Sequence, residues 1–381
     1  MTRLTLFAFL SLLAAAAPAA RHVGFETDAF SRAYPVSYPW NAVFSPASFE
    51  IDCALVAESL ATIPKANVSE LLNVSFDFPS TYRPVVDGLG EPTNGFSFVA
   101  ARAFCVPSVK TVRAEHRHHL SQEYGAEVLR GYPNRGAESW FRATMGGEME
   151  SFALSPDGND GERFSFYDLV SVKAAWKDPF PTANTRSLAF RPDGGTGSVQ
   201  VVCMSDVRLA DTWETSAYTL LKLPLRGDAW FYAMLPKEGQ ALAAARADLT
   251  SAKIDRLLAV TRSAAESGVG HGACAIVLPR LDLFSRLDVT GIFHYFRIPT
   301  GGLVHISENG IEKEYVQYVR FRLAEHGDGE PPLVKKAEGD VVPVTPDVKR
   351  LVFNRPFLFF VYHEKTATIP VAGQFTGRCA L

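Results

Sequence analysis

The chain has 381 residues, with 38 lysines and arginines against 41 aspartates and glutamates, for a formal charge of −3. That balance excludes a general electrostatic attraction to nucleic acid or to an anionic membrane surface. At 47% hydrophobic and 21% charged residues, the composition is that of a globular protein with a large core, not of a disordered chain.

Residues 1–20 read as a cleaved signal peptide. An apolar run from Leu4 to Ala17 is too short to span a bilayer comfortably and ends in small residues, Ala17 to Ala20, before Arg21. The expectation is a secreted, extracellular protein. Residues 21–381 show no repeat, low-complexity tract or linker that would separate domains, so a single domain is predicted. Two sequons, Asn67-Val68-Ser69 and Asn73-Val74-Ser75, are candidate glycosylation sites and predict solvated surface.

Helical patterns dominate the first half: Ser48 to Leu60, with an apolar stripe at Ile51, Leu55 and Leu60, then Val112 to Tyr124 and Glu138 to Phe152. Strand-like runs dominate the second half: Phe166 to Val172, Val199 to Met204, Trp230 to Leu235, Ala275 to Leu278 and Tyr315 to Leu323. Phe357 to Tyr362 and Ala367 to Ala372 read as two buried strands joined by a polar turn. This segregation predicts an α+β fold with large antiparallel sheets.

The five cysteines, Cys53, Cys105, Cys203, Cys274 and Cys379, are far apart and share no metal-ligand spacing, so no disulfide framework is indicated. Cys379, near the C-terminus, reads as an inert tail thiol or as one able to pair with another molecule. Lys110, Arg113, His116, Arg117, His118 and His119 form a basic cluster on a predicted helix, with His116 and His119 at metal-compatible spacing. A solvated helix face is the favoured reading of that cluster. No metal or cofactor is expected, and no catalytic motif such as G-x-S-x-G, H-E-x-x-H, a P-loop or a dinucleotide glycine pattern is present.

The ending Leu351 to Phe375, together with Glu325 and Gly327 upstream, resembles the C-terminal signature of the serpins. The resemblance covers roughly residues 27 to 375. Asn41 to Ser48 is similar to the family's N-x-x-x-S-P-x-S segment, whose hydroxyls sit under the main sheet. Gln122 to Val128, Trp140, Asp168 to Phe180 with its W-x-x-P-F ending, Ser198 to Ser205, Leu221 to Pro236 and Leu278 to Arg280 follow in the family's order. The resemblance implies about nine helices, three mostly antiparallel sheets and an exposed reactive-centre loop over about 327–350. Two positions depart from the pattern: Asp168 stands where the family usually has an asparagine, and Gln317 where a histidine is expected. A repacked polar network that still holds the sheet closed is the favoured reading.

Inhibitory serpins are cut in this loop, whose first half then inserts into the main sheet as a new strand. The hinge aligns through Glu325 and Gly327, but then reads Asp328-Gly329-Glu330-Pro331-Pro332 where threonine, glutamate and alanines would follow. A period of two places Asp328, Glu330 and Pro332 on one face of the would-be strand, which in the family pattern points into the core. Burying the two carboxylates unpaired costs on the order of several kcal/mol each, and prolines cannot donate to a central ladder. The expectation is therefore a non-inhibitory binding or modulatory protein and not an enzyme. The alternative is a suicide-type inhibitor of a serine or cysteine protease, with a scissile bond near Val341-Val342 or at Lys335 or Lys336. The expected partner is an extracellular protein, such as a protease; a monomer is expected. Glycosaminoglycan binding would have to use the histidine and arginine cluster, because Thr81 to Asn94, the stretch that usually carries it, holds only Arg83 as a cation.

Overall fold

The computed structural model describes residues 23–34, 38–130, 135–149, 152, 154, 163–192, 197–247, 249, 250, 252–254, 258, 270–307, 312–327 and 348–379, without the side chain of Lys110. The expected signal peptide, residues 1–20, lies outside these, as do Asp328, Glu330, Pro331, Pro332, Val341 and Val342.

Ser45 starts helix α2 (Pro46–Glu58), which follows a helix over 23–33. The Ser45 hydroxyl accepts from the Ser48 amide at 3.3 Å, and Pro46 takes the first helical position, where its missing N–H is not needed. Almost every residue of α2 is buried, Glu50 and Asp52 included, so it is a core helix without a solvated face. Helices α3 (Thr62–Leu72), α4 (Phe78–Gly90) and α5 (Ala114–Tyr124) surround it.

The main sheet has five strands in the order β10 (Leu281–Asp288), β11 (Glu312–Leu323), β4 (Phe164–Ala174), β2 (Phe96–Val106) and β3 (Ala126–Arg130). Its two central strands, β11 and β4, run parallel and pair directly, from Glu312 opposite Phe164 to Arg322 opposite Lys173. Over its outer face lies α6 (Arg135–Met145), whose apolar stripe Ala137, Phe141 and Met145 recurs every fourth residue and packs on Tyr167, Leu169, Val316 and Tyr318. This helix is shorter than the Glu138 to Phe152 reading because Gly146 and Gly147, at φ +56° and +82°, end it.

Two sheets, not three, are present among the described residues. The second has nine strands, in the order β1 (Ala42–Phe44), β14 (Thr368–Phe375), β13 (Phe357–His363), β8 (Ala229–Pro236), β7 (Tyr218–Pro224), β6 (Val199–Glu214), β9 (His271–Pro279) and β12 (Lys349–Val352), with β5 (Arg186–Phe190) also on β6. The sheets expected to be separate join through β6, which runs ten residues past the expected Met204. It pairs with β5 and β9 along most of its length and with β7 from Asp211 to Glu214. The C-terminal hairpin is a core element, stacked through Phe360 on Tyr232 at 4.6 Å and through Phe359 on Phe231 at 6.0 Å.

Candidate functional site: the closed seam and the hinge

The seam between β11 and β4 is crossed by polar contacts at three levels. At the centre, on the core side, Gln317 stands opposite Asp168. Gln317 Nε2 donates to Asp168 Oδ2 at 3.0 Å and to the Ser45 carbonyl at 3.2 Å, while the Ser45 amide donates to Gln317 Oε1 at 2.9 Å. The Ser45 hydroxyl in turn donates to the Pro370 carbonyl at 2.7 Å, tying the network to the C-terminal hairpin. The amide of Gln317 therefore serves donor and acceptor together, a double role suited to a position facing both a carboxylate and a helix start.

Beside this contact is Arg102, on β2 and 3% exposed. Its Nε donates to Asp52 Oδ1 at 3.1 Å and lies 3.5 Å from Asp168 Oδ1, and its Nη2 donates to the Ser48 hydroxyl at 2.5 Å. Two buried carboxylates thus share one guanidinium, and one oxygen of each, Asp52 Oδ2 and Asp168 Oδ1, has no hydrogen bond. Burial, and then the neighbouring Asp168, push the Asp52 carboxyl well above the ordinary aspartate range. The carboxylate at 168 is thus stabilised by the Gln317 hydrogen bond and by the nearby Arg102 charge, while the Ser48 hydroxyl is bound by Arg102.

On the outer face, the Tyr167 hydroxyl of β4 donates to Glu314 Oε1 of β11 at 2.5 Å, and Arg286 of β10 donates to Glu314 Oε2 at 2.8 Å. At the end nearest the hinge, Glu148, just after α6, reaches both strands. It accepts from Lys173 Nζ of β4 at 2.7 Å and from Arg322 Nη2 of β11 at 2.5 Å, two residues directly opposite in register. A new strand entering between β11 and β4 would have to separate all three crossings.

The hinge is anchored just past β11. Arg280 Nε donates to both oxygens of Glu325 at 2.9 and 2.7 Å, Thr185 donates to the same carboxylate, and the Phe180 amide donates to the Glu325 carbonyl at 3.2 Å. Burial alone would raise the Glu325 carboxyl, but these hydrogen bonds hold it below the ordinary glutamate range. Gly327 sits at φ +102°, where its amide donates to the Ala324 carbonyl at 3.3 Å, and a Cβ there would lie 3.1 Å from Ala175 Cβ. Glycine satisfies both the backbone conformation and the close approach.

Other expected residues fall elsewhere. Asn67 on α3 and Asn73, its left-handed C-cap, are both exposed. Of the histidines expected on a solvated face, His116 is partly covered, whereas His119 keeps 38% of its side chain exposed. His116 Nε2 is 3.0 Å from the Ser59 hydroxyl and its ring is 5.1 Å from that of His305, while His119 is 3.7 Å from Glu58. Arg113 and His118 remain exposed. Among the described residues no group of three or more His, Cys, Asp or Glu side chains could hold a metal ion. Arg83 is engaged by Asp87 at 2.8 Å. All five cysteines are free thiols, four of them buried and Cys379 exposed. No helix of the described residues is long and apolar enough to cross a membrane.

The model of the serpin (serine protease inhibitor) family matches residues 25–377, so the chain belongs to the serpin family. Human glia-derived nexin is 24% identical over 245 residues, covering 60% of this chain and 58% of that protein, a little over half its length. Among solved structures, human thyroxine-binding globulin complexed with thyroxine matches at TM-score 0.79 and 16% identity, over 95% of this chain and 99% of its own. Native protease nexin-1 with heparin matches at TM-score 0.78 and 18% identity, over 94% and 98%.

Proposed function

We propose that this serpin is a secreted binding or modulatory protein that does not trap proteases by loop insertion. The observation that carries this reading is the directly paired β11–β4 seam with its three polar crossings. Separating the crossings takes from Asp168 and Glu314 the Gln317 and Tyr167 donors that now satisfy them across the seam. Asp328 and Glu330 bring further carboxylates to the core side, and Pro331 and Pro332 lack amide donors for either neighbouring strand. Because inhibition is a race between insertion and hydrolysis of the acyl-enzyme, slow insertion makes the chain a substrate of the protease.

In this reading residues 1–20 direct export, residues 21–381 fold as a single monomeric domain, and Asn67 and Asn73 carry glycans. The neighbours seen with thyroxine and with heparin support a carrier or polysaccharide-binding role on this fold. An extracellular protein held by the surface or by the 327–350 loop is an equal fit to that reading.

The anchored hinge favours a second reading, since Glu325 and Gly327 keep the geometry from which a loop could fold inward. The chain would then inhibit a serine or cysteine protease through Val341-Val342, or through Lys335 or Lys336 with a trypsin-like enzyme. Incubation with elastase-, trypsin- and cathepsin-type proteases, followed by a denaturing gel, separates the two. Simple cleavage is expected; a covalent complex that survives the gel overturns the first reading.

A further inference from the structure

An open cleft of about 270 Å³ lies where the start of β2, the end of β4, the turn before β8 and the hinge meet. Among the described residues its lining includes Lys173, Arg226 and His326 and no acidic residue, in a chain whose net charge is negative. Ala174 and Ala175 leave room, and Ser97 and Asn94 add a hydroxyl and an amide.

Arg226 distinguishes this cleft from a chance gathering of surface cations. Among the described residues it makes no ion pair, a state it shares with exposed arginines such as Arg113 and Arg350, and what sets it apart is that it is half-buried. Its stem is also seated: Gly95 is at φ +99°, and a Cβ there would lie 2.7 Å from Arg226 Cδ. The missing side chain at 95 lets the half-buried arginine lie against the backbone beside the cleft. Lys173 is shared with Glu148 at 2.7 Å, so the guanidinium of Arg226 carries the unneutralised charge. A planar fork without a carboxylate of its own matches carboxylate or phosphate oxygens two at a time.

We propose that this cleft binds a small multivalent anion bearing carboxylate or phosphate groups, with Arg226 as its anchor. The volume suits a molecule of citrate or phosphate size better than a drug-sized ligand. Because His326 and Gly327 form one wall and the ends of β2 and β4 another, the bound anion ties the hinge to the closed sheet. Its binding free energy then stabilises the native arrangement by mass action. The inference stands whether or not the loop inserts.

Isothermal titration of the full chain at 0.15 M salt with citrate, inorganic phosphate and acetate tests it. Saturable binding of citrate or phosphate, at least about tenfold tighter than acetate, is expected, and Arg226→Gln should weaken it about tenfold. Arg226→Lys should lose part of that, and Arg113→Gln, just ahead of the distant α5, none. Tighter binding of citrate assigns carboxylates as the preferred chemistry, and tighter binding of phosphate assigns phosphate. Should Arg226→Gln fail to fold, the unmodified chain still decides. Absence of saturable citrate and phosphate binding, equal binding of acetate, or binding unchanged in a folded Arg226→Gln protein would overturn the proposal.

Discussion

Gln317 and Asp168 face each other across the one strand pair that a serpin must open to insert its loop, with Nε2 3.0 Å from Oδ2. The pair replaces two residues of the family pattern at once, and Arg102 with Asp52 completes the substitution from the adjacent strand and from the helix below. An acid at 168 is compatible with burial because a guanidinium and a carboxamide both point at it.

This arrangement makes different demands on its two ends. Arg102→Ala should destabilise the protein by about 3–5 kcal/mol, because it leaves two buried carboxylates without their shared cation. Asp168→Asn should change stability by no more than about 1 kcal/mol, since an asparagine oxygen still accepts from Gln317 and Asp52 still pairs with Arg102. Urea unfolding at pH 7 measures both. An Arg102→Ala protein as stable as the unmodified one would show that the carboxylates are not held as described.

Glu148 should matter more to local opening than to global stability. Its side chain is 22% exposed, so its ion pairs contribute about 1 kcal/mol or less. Yet it spans the seam at the end where a strand would enter. Glu148→Gln should leave the melting temperature within about 2 °C of its starting value and speed amide exchange at the hinge-proximal ends of β4 and β11. Unchanged exchange at those ends would remove Glu148 from the account.

The histidine pair gives a pH dependence of known sign. Burial first, then the charges of His305, His119 and Lys65, lower the His116 pKa to about 4 from an ordinary 6.5. A histidine whose folded pKa is lowered adds stability that is complete above pH 6.5 and is lost as the pH falls towards 4. Asp52 and Glu26, both raised by burial, act in the opposite direction, gaining stability as the pH falls. The difference between the unmodified chain and His116→Gln isolates the histidine: the variant should lose less melting temperature between pH 7.5 and pH 4.5, by about 2 °C or more. Parallel curves for the two proteins would contradict the burial of His116.

The parts of this molecule legible in the sequence are those where many residues vote together. Apolar β-rich runs announced β4, β11, the C-terminal hairpin and, at Val199 to Met204, the start of β6. β6 goes on through Val207, Leu209 and Trp213, but the charged residues among them hid the continuation that joins two sheets into one. The site was legible at Asp168, Gln317, Glu325 and Gly327 because family resemblance fixes what should stand there. Arg102, a single charge inside an apolar run, and Asp52, beside Glu50 in an apolar helix, each left a signal, but pairing them requires knowing that β2 passes over α2, fifty residues away. Glu148 left none, since it fell inside the expected helix Glu138 to Phe152, which ends before it. His116 deceived for a related reason: a helix rich in arginine and histidine has two polar faces, and only packing against Ser59 and His305 shows which one is covered.

The defect assigned to the hinge is repairable in principle. Replacing Asp328 to Pro332 with threonine, glutamate and three alanines removes the prolines and exchanges the charged core-facing pattern for one compatible with a central strand. The replaced protein should melt well above its intact form once its loop is cut, whereas a replaced protein that gains nothing on cleavage would place the obstacle in the seam crossings and not in the loop.

The most direct test of the central claim is the melting temperature of the unmodified protein before and after a single cut in the 327–350 loop. Insertion would add a sixth, hydrogen-bonded strand between β11 and β4 and so stabilise the cut protein. If the crossings at Asp168–Gln317, Tyr167–Glu314 and Glu148 and the sequence Asp328 to Pro332 together block that step, the cut protein should melt within a few degrees of the intact one. A rise of tens of degrees, far beyond the few degrees that accompany a 1 kcal/mol change, would show that the loop inserts and that the chain retains the inhibitory mechanism.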